Sequence, residues 1–321
     1  MTKRTKIIIA SATFCLLVAC ILILCLGSLS RKAKIAVEKY NEAASAYNVA
    51  TNSYNSSLDV VEQANIELDA IIKTGRTLLE SNAIPFDDQC KTKLEQALTA
   101  TAQARIEVSA RLPLYEEMTI PQDATDEQLK EITATAASLT RQMENTTVPE
   151  PLAQPDYVAV QIRLKDTIAA YEKSVLIQQQ VTAPEDAFVV DCLKQIDTVL
   201  AVGTVTKSND SNGLLGTEGG YIGCIYFSDS RVDKEKLDLK PGDYTVIKMG
   251  NVGGGAVEVF ATVEDAEARN LYLATFDNTD LKPGSHCVVG TIVVRTSPYL
   301  TDDQQIDLTN KIIELFTMLA N

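Results

Sequence analysis

Residues Ile7 to Leu29 read IIIASATFCLLVACILILCLGSL and contain no charged side chain. Lys3, Arg4 and Lys6 stand before the run, and Arg31, Lys32 and Lys34 come after it. A helix needs about 20 apolar residues to cross the ~30 Å hydrocarbon layer of a bilayer, and this run meets that length. The pattern predicts an uncleaved, single-pass transmembrane anchor (signal-anchor) over 7–29, preceded by a short cytoplasmic tail, 1–6. A cleaved signal peptide has a shorter apolar core and a small-residue cut site after it; here Ile21-Leu22-Ile23-Leu24 continues the run past the loose lipobox Leu17-Val18-Ala19-Cys20. Basic residues are equal in number on the two flanks, so charge alone decides the orientation weakly. Long domains translocate largely regardless of charge, and the reading taken is a large extracytoplasmic portion at the cell membrane. A cytoplasm-facing scaffold of inverted topology is the alternative.

Charge limits the partners. The chain holds 29 basic and 43 acidic residues, and all six basic residues of the first 34 belong to the anchor flanks, leaving a net of −20 beyond it. Such a surface repels nucleic acid, so no nucleic-acid partner is expected. The sequence has one histidine, His286, and no tryptophan. Histidine is the commonest side chain for metal binding and general acid–base work near neutrality, so its scarcity argues against many hydrolase and zinc sites, and no enzyme activity is expected. An Asp/Glu- or Ser/Thr-based enzyme is the weaker alternative. Cys90, Cys192, Cys224 and Cys287 are too scattered for a disulfide-dense scaffold and read as reduced, inert thiols.

From Ala33 a heptad pattern is continuous. Ala33, Tyr40, Tyr47, Tyr54, Val61 and Leu68 occupy one position, with Ala36, Ala43, Ala50, Ser57, Ala64 and Ile71 three residues on. Val37, Ala44, Leu58, Ile72 and Leu79 add a fifth-position set. This predicts one long helix with a broad apolar stripe, about 70 Å tall at 1.5 Å per residue. The repeated pairs Tyr40-Asn41, Tyr47-Asn48 and Tyr54-Asn55 read as a packed stripe, the tyrosine rings buried with their hydroxyls at the rim. Pro85 breaks the pattern. A second helix is expected with Leu94, Ala97, Leu98, Thr101, Ala104, Val108, Leu112 and Tyr115 on one face. A third is expected after Thr125, carrying Leu129, Ile132, Ala136, Leu139 and Met143. A fourth carries Tyr157, Val160, Leu164, Ile168, Tyr171 and Val175. The three prolines of 148–155 exclude helix there. Residues 31–181 are thus expected to form an all-α antiparallel helical bundle or coiled-coil stalk with a long first helix, and pairing of two copies through that helix is left open.

Residues 182–184 form a linker, and 185–321 read as an α+β domain. The expectations there are a helix after Pro184, strands at 199–206, 221–227, 244–248, 256–262 and 288–295, and helices after Val263 and Thr301. Helices on one face of the sheet would give a sandwich ferredoxin-like in spirit. Gly213, Gly216, Gly219 and Gly220, and Gly253 to Gly255, each lead into a strand rather than a helix. They therefore read as turn and bulge glycines, not a phosphate loop. Asp210 and Asn212, with Gly213 behind them, partly match a calcium loop, which places oxygen ligands at alternate positions and glycine at the sixth. The position of the bidentate Glu is Gly219, so an Asx-rich turn is the main reading. No other cofactor is expected. His286 is read as a strand-edge residue with a structural hydrogen bond.

The runs SNDSNGLLGTEGGYIGCIYF, GGGAVEVFATVEDAEARNLYLATFD and GSHCVVGTIVVRTSPYLTDDQQIDLTNKII resemble a domain of uncharacterised membrane-anchored cell-envelope proteins of Gram-positive bacteria. The resemblance covers roughly 184–320. It implies an anchor helix, a helical stalk and a surface location, and it implies no activity; a protein or cell-wall partner for the α+β domain is a separate expectation of the anchored reading.

Overall fold

The computed structural model describes residues 3–237, 239–240, 242–277, 279 and 282–319, with side chains from residue 27 onward. Among them are eight α-helices and one five-stranded antiparallel sheet, a mixed α+β chain. No helix among the described residues is long and apolar enough to cross a membrane. The run 7–29 expected to do so lies, but for its last three residues, where side chains are outside the described set.

The chain divides into two compact units. The first comprises 1–71 and 101–161. It contains most of α1 (Lys3–Glu80) and all of α3 (Asp126–Asn145). On α1 the heptad is realised as burial. Ala33, Tyr40, Tyr47, Tyr54, Val61 and Leu68 are all buried, as are Val37, Ala44, Thr51, Leu58 and Asn65. Val37, Tyr40, Ala44 and Tyr47 pack with Ala136 and Met143 of α3. The expected start of α3 is capped as the sequence suggests. Thr125 and Gln128 form a reciprocal capping box, satisfying two of the otherwise free N–H groups of the first turn.

The second helix departs from expectation. α2 (Gln89–Ala104) stops eleven residues before Tyr115, and residues 105–120 carry no regular secondary structure. Leu112, Tyr115 and Met118 alone of 111–118 are half-buried, every third residue, while the others are exposed. That is the period of an extended chain with threefold twist, not the 3.6 of a helix. Pro113 removes an N–H that a helix interior would need.

The second unit comprises 72–100 and 162–321. Gly75 of α1 lies where a Cβ would press on Leu98 of α2, and Leu164, Ile168 and Tyr171 of α4 (Val158–Gln180) are buried. The sheet runs β1 (Val199–Thr204), β2 (Gly223–Asp229), β3 (Gly254–Val259), β5 (Ile292–Thr296), β4 (His286–Val289), every neighbour antiparallel. One split β-α-β unit forms, since β3 and β4 run parallel on either side of β5 and are joined through α7 (Val263–Ala274). However, β1, β2 and β3 make a meander in place of the second such unit of a ferredoxin-like sheet. Alternation within β2 explains why both faces are covered. Ile225 and Phe227 join a core with α5 (Asp186–Leu193) and α8 (Asp302–Thr317). Cys224 and Tyr226 join another with α7. The helices are therefore not confined to one face.

Two strand expectations are corrected. Residues 288–295 are not one strand; Gly290, at φ +59°, turns the chain between Val289 and Ile292, which pair. A positive φ at this point is what a two-residue hairpin requires. Residues 244–248 give no strand; α6 (Val246–Met249) starts there, capped by the Thr245 hydroxyl. Gly255 is needed for a close approach. A side chain there would collide with the Phe227 ring and the Arg295 carbonyl.

Candidate functional site

The most ordered polar arrangement in the first unit is a column of asparagines on α1. Asn41, Asn48 and Asn55 come directly after the three buried tyrosines and sit one heptad apart. Each faces one residue of the extended segment and makes two bonds to its main chain. The Asn48 amide nitrogen donates to the Tyr115 carbonyl at 2.7 Å, and the Tyr115 N–H donates to Asn48 Oδ1 at 2.9 Å. Asn41 does the same with Met118, at 2.9 and 2.8 Å. Asn55 does so with Leu112, at 2.9 and 3.0 Å.

The match arises from pitch. Seven helical residues rise about 10.5 Å. Three residues of extended chain advance about 9–10 Å. A heptad column of amides thus meets every third residue of a strap running antiparallel to it. Each clasp satisfies a main-chain N–H and C=O that an isolated extended segment could give only to water.

The remaining contacts fix the strap's height. Tyr40 donates its hydroxyl to the Glu116 carbonyl at 2.8 Å, and burial holds its phenol above the ordinary tyrosine pKa. Tyr47 meets the Tyr115 ring edge-on at 5.2 Å. At the other end Asn65, buried, donates to the Ile106 carbonyl at 2.8 Å. The Tyr157 hydroxyl donates to Asn65 Oδ1 at 2.8 Å and accepts the Ile106 N–H at 2.9 Å. Between these ends Arg111 pairs with Asp59 and Glu62, and just beyond the second Arg105 pairs with Asp69, all exposed. A second irregular segment touches the same helix where the Leu152 N–H donates to Ser57 Oγ at 2.9 Å. The tyrosines are packed as the sequence implies. The asparagines, which the sequence marks only as neighbours of Tyr, carry the arrangement, and their heptad spacing is the signal that points to it.

Asp210 and Asn212, the calcium-loop candidates, are brought together between β1 and β2. Asp210 Oδ1 takes the Asn212 N–H at 3.0 Å and the Tyr221 hydroxyl at 2.5 Å, and Oδ2 takes the Leu215 N–H at 2.8 Å. Burial pushes the Asp210 carboxyl up, but these donors outweigh it and hold it below the usual carboxylate value. The Asn212 amide reaches the Tyr226 hydroxyl at 3.2 Å. The carboxylate serves the loop's own donors, as in an Asx-rich turn. Among the described residues no group of three or more His, Cys, Asp or Glu is placed to hold a metal ion.

The same face of the sheet buries a charged cluster that the sequence does not announce. Glu258 of β3 is fully enclosed. Arg269 of α7 grips it with Nε at 2.7 Å and Nη2 at 3.0 Å, and Arg295 of β5 adds Nη1 at 2.8 Å. Burial raises the carboxyl, and the two guanidiniums overcome that and hold it low. Arg295 Nε is enclosed without a partner among the described residues. His286, on β4 beside this strand, makes structural bonds, Nδ1 to Asn270 at 2.6 Å and Nε2 to Asp277 at 3.0 Å; no nucleophile is bonded to it among the described residues.

The cysteines Cys90, Cys192, Cys224 and Cys287 are free. Burial pushes the Cys192 thiol up to about 11 and raises Cys224 and Cys287 as well. Thiols held protonated are poor nucleophiles.

No protein-family model, curated protein or solved structure matches this chain.

Proposed function

We propose that this is a single-pass membrane-anchored surface protein with a non-enzymatic binding or scaffold role. Residues 7–29 are the anchor, 31–181 the helical stalk region and 185–321 the binding domain. The observation that carries the reading is the charge-free run Ile7 to Leu29 at the start of a helix that continues to Glu80. A run of that length is stable in hydrocarbon, and it is costly to leave in water.

Two features support a mechanical rather than chemical role for the region beyond the anchor. The asparagines of the α1 column are engaged in holding the main chain of the strap. The buried charges of the α+β domain are engaged with each other. The partner in this reading is a protein or cell-wall component.

The experiment is fractionation of the full chain, with labelling of an engineered cysteine at exposed Glu267 by a membrane-impermeant maleimide. Recovery only with detergent, and labelling of intact cells, are expected. Release of the uncleaved chain into the soluble fraction contradicts the anchor. Protection of the cysteine in intact cells contradicts the surface location.

A further inference from the structure

We infer that the asparagine column of α1 is a polypeptide-binding site that reads backbone instead of side chains. Its ligand class is an extended chain with an apolar residue at every third position, and residues 106–118 are the occupant it already holds. The inference goes beyond the anchor reading and does not depend on it.

Six bonds carry it. Asn41, Asn48 and Asn55 each present one donor and one acceptor, and all six partners are main-chain atoms of Met118, Tyr115 and Leu112. Backbone groups are the same in every residue but proline, so this contact does not select a sequence. Selection comes from the residues turned inward and from Arg111, whose guanidinium pairs with Asp59 and Glu62 of α1. Of the eight residues 111–118 only Leu112, Tyr115 and Met118 are half-buried, and the rest are exposed, Leu114 at 51 %. Tyr115 and Met118 pack against the cluster of Tyr40, Ala44 and Tyr47, so those inward positions must be apolar. Apart from Arg111, the outward positions are unconstrained.

The helix side enforces register. The amides stand about 10.5 Å apart, so only three-residue spacing of an extended ligand engages all of them together. Spacing of two residues misses the second amide by about 4 Å, and spacing of four by about 2–3 Å. Because the resident strap is tethered at both ends, its effective concentration excludes a free peptide. A competitor is seen only when the strap can no longer be clasped.

The test uses the full chain carrying Leu112→Pro, Tyr115→Pro and Met118→Pro, which removes the three N–H donors. Three fluorescent peptides are titrated by anisotropy. One is the native segment 105–122. The second replaces the outward Val108, Ala110, Leu114, Glu116 and Glu117 by Ser or Thr. The third moves the apolar residues to four-residue spacing. The first two are expected to bind within about threefold of each other. The third, and the first against a chain that also carries Asn48→Ala, are expected to be weaker by about tenfold, or 1.4 kcal/mol. Equal loss for the second and third peptides overturns the inference, as does failure of the native peptide to bind a folded variant. Should the triple variant not fold, the outward replacements are made within an otherwise unaltered chain. Unchanged hydrogen-exchange rates at the Leu112, Tyr115 and Met118 amides then uphold backbone reading, and rates about tenfold faster overturn it.

Discussion

Asn48 and Tyr115, 67 positions apart in the chain, close a two-bond ring in which one side-chain amide satisfies both main-chain groups of the facing residue. The Tyr47 ring packs edge-on against the Tyr115 ring beside it. The Tyr-Asn pair is thus a unit in which the first residue packs and the second clasps.

Removing one clasp should therefore cost stability. Asn48→Ala leaves the Tyr115 N–H and C=O without their partners, and two bonds at the usual net value amount to about 1–3 kcal/mol. Asn52→Ala, at an exposed position of the same helix, should change stability by less than about 0.5 kcal/mol. Urea unfolding of the two variants measures the difference, and equal effects contradict the clasp.

Thr51 lies in the buried stripe, 0 % exposed, with its hydroxyl unpartnered among the described residues. Thr51→Val replaces that hydroxyl by a methyl of similar size. An enclosed hydroxyl without a bond costs about 1–3 kcal/mol of desolvation, so the variant should be more stable by about 1 kcal/mol in the same measurement. A loss of stability contradicts the burial described.

Glu258 neutralises two guanidiniums inside the α+β fold. Glu258→Gln keeps the shape and leaves Arg269 and Arg295 without this counter-charge. Breaking a buried pair from one side typically costs about 3–5 kcal/mol, and a drop of that size in the stability of the α+β domain is expected. A change within about 0.5 kcal/mol on urea unfolding contradicts the enclosure.

The same groups set the acid limit. Glu258, Asp210 and Asp229 are all held below their ordinary carboxylate pKa in the fold; for Asp229 the Arg231 guanidinium overcomes the upward push of burial. A depressed folded value means that the unfolded chain takes up protons first. Their stabilisation is then complete above the unfolded values, about 4, and is lost as pH falls through the lower folded ones. Thermal unfolding should be flat between about pH 6 and 7 from these groups and fall steeply below about pH 4. In Glu258→Gln the acid slope should be shallower.

The sequence carries the helices most clearly where one face is apolar and a cap is present. Thr125 and Thr301 each head a capping box with a glutamine three residues on, and both helices start where expected. The α+β class is legible in the strand-forming runs around Cys224 and Val293. The strap reads as helix in the sequence because Leu94 to Tyr115 does satisfy a helical period, and the partner that overrides it lies 67 residues upstream. The hairpin at Gly290 is hidden because a lone glycine between apolar residues reads as strand, whereas its φ is fixed by the turn. Glu258 gives no signal of its site. An acid in a strand reads as solvent-facing until its two arginines, 11 and 37 residues further on, are placed beside it.

The most direct measurement of the central claim is residue-resolved amide hydrogen exchange over 105–120 in the full chain. The account predicts protection at Leu112, Tyr115 and Met118, the three N–H groups held by asparagine, with fast exchange at Leu114 and Glu117. Continuous protection through this segment, as a helix would give, or none at the three clasped residues, would contradict it.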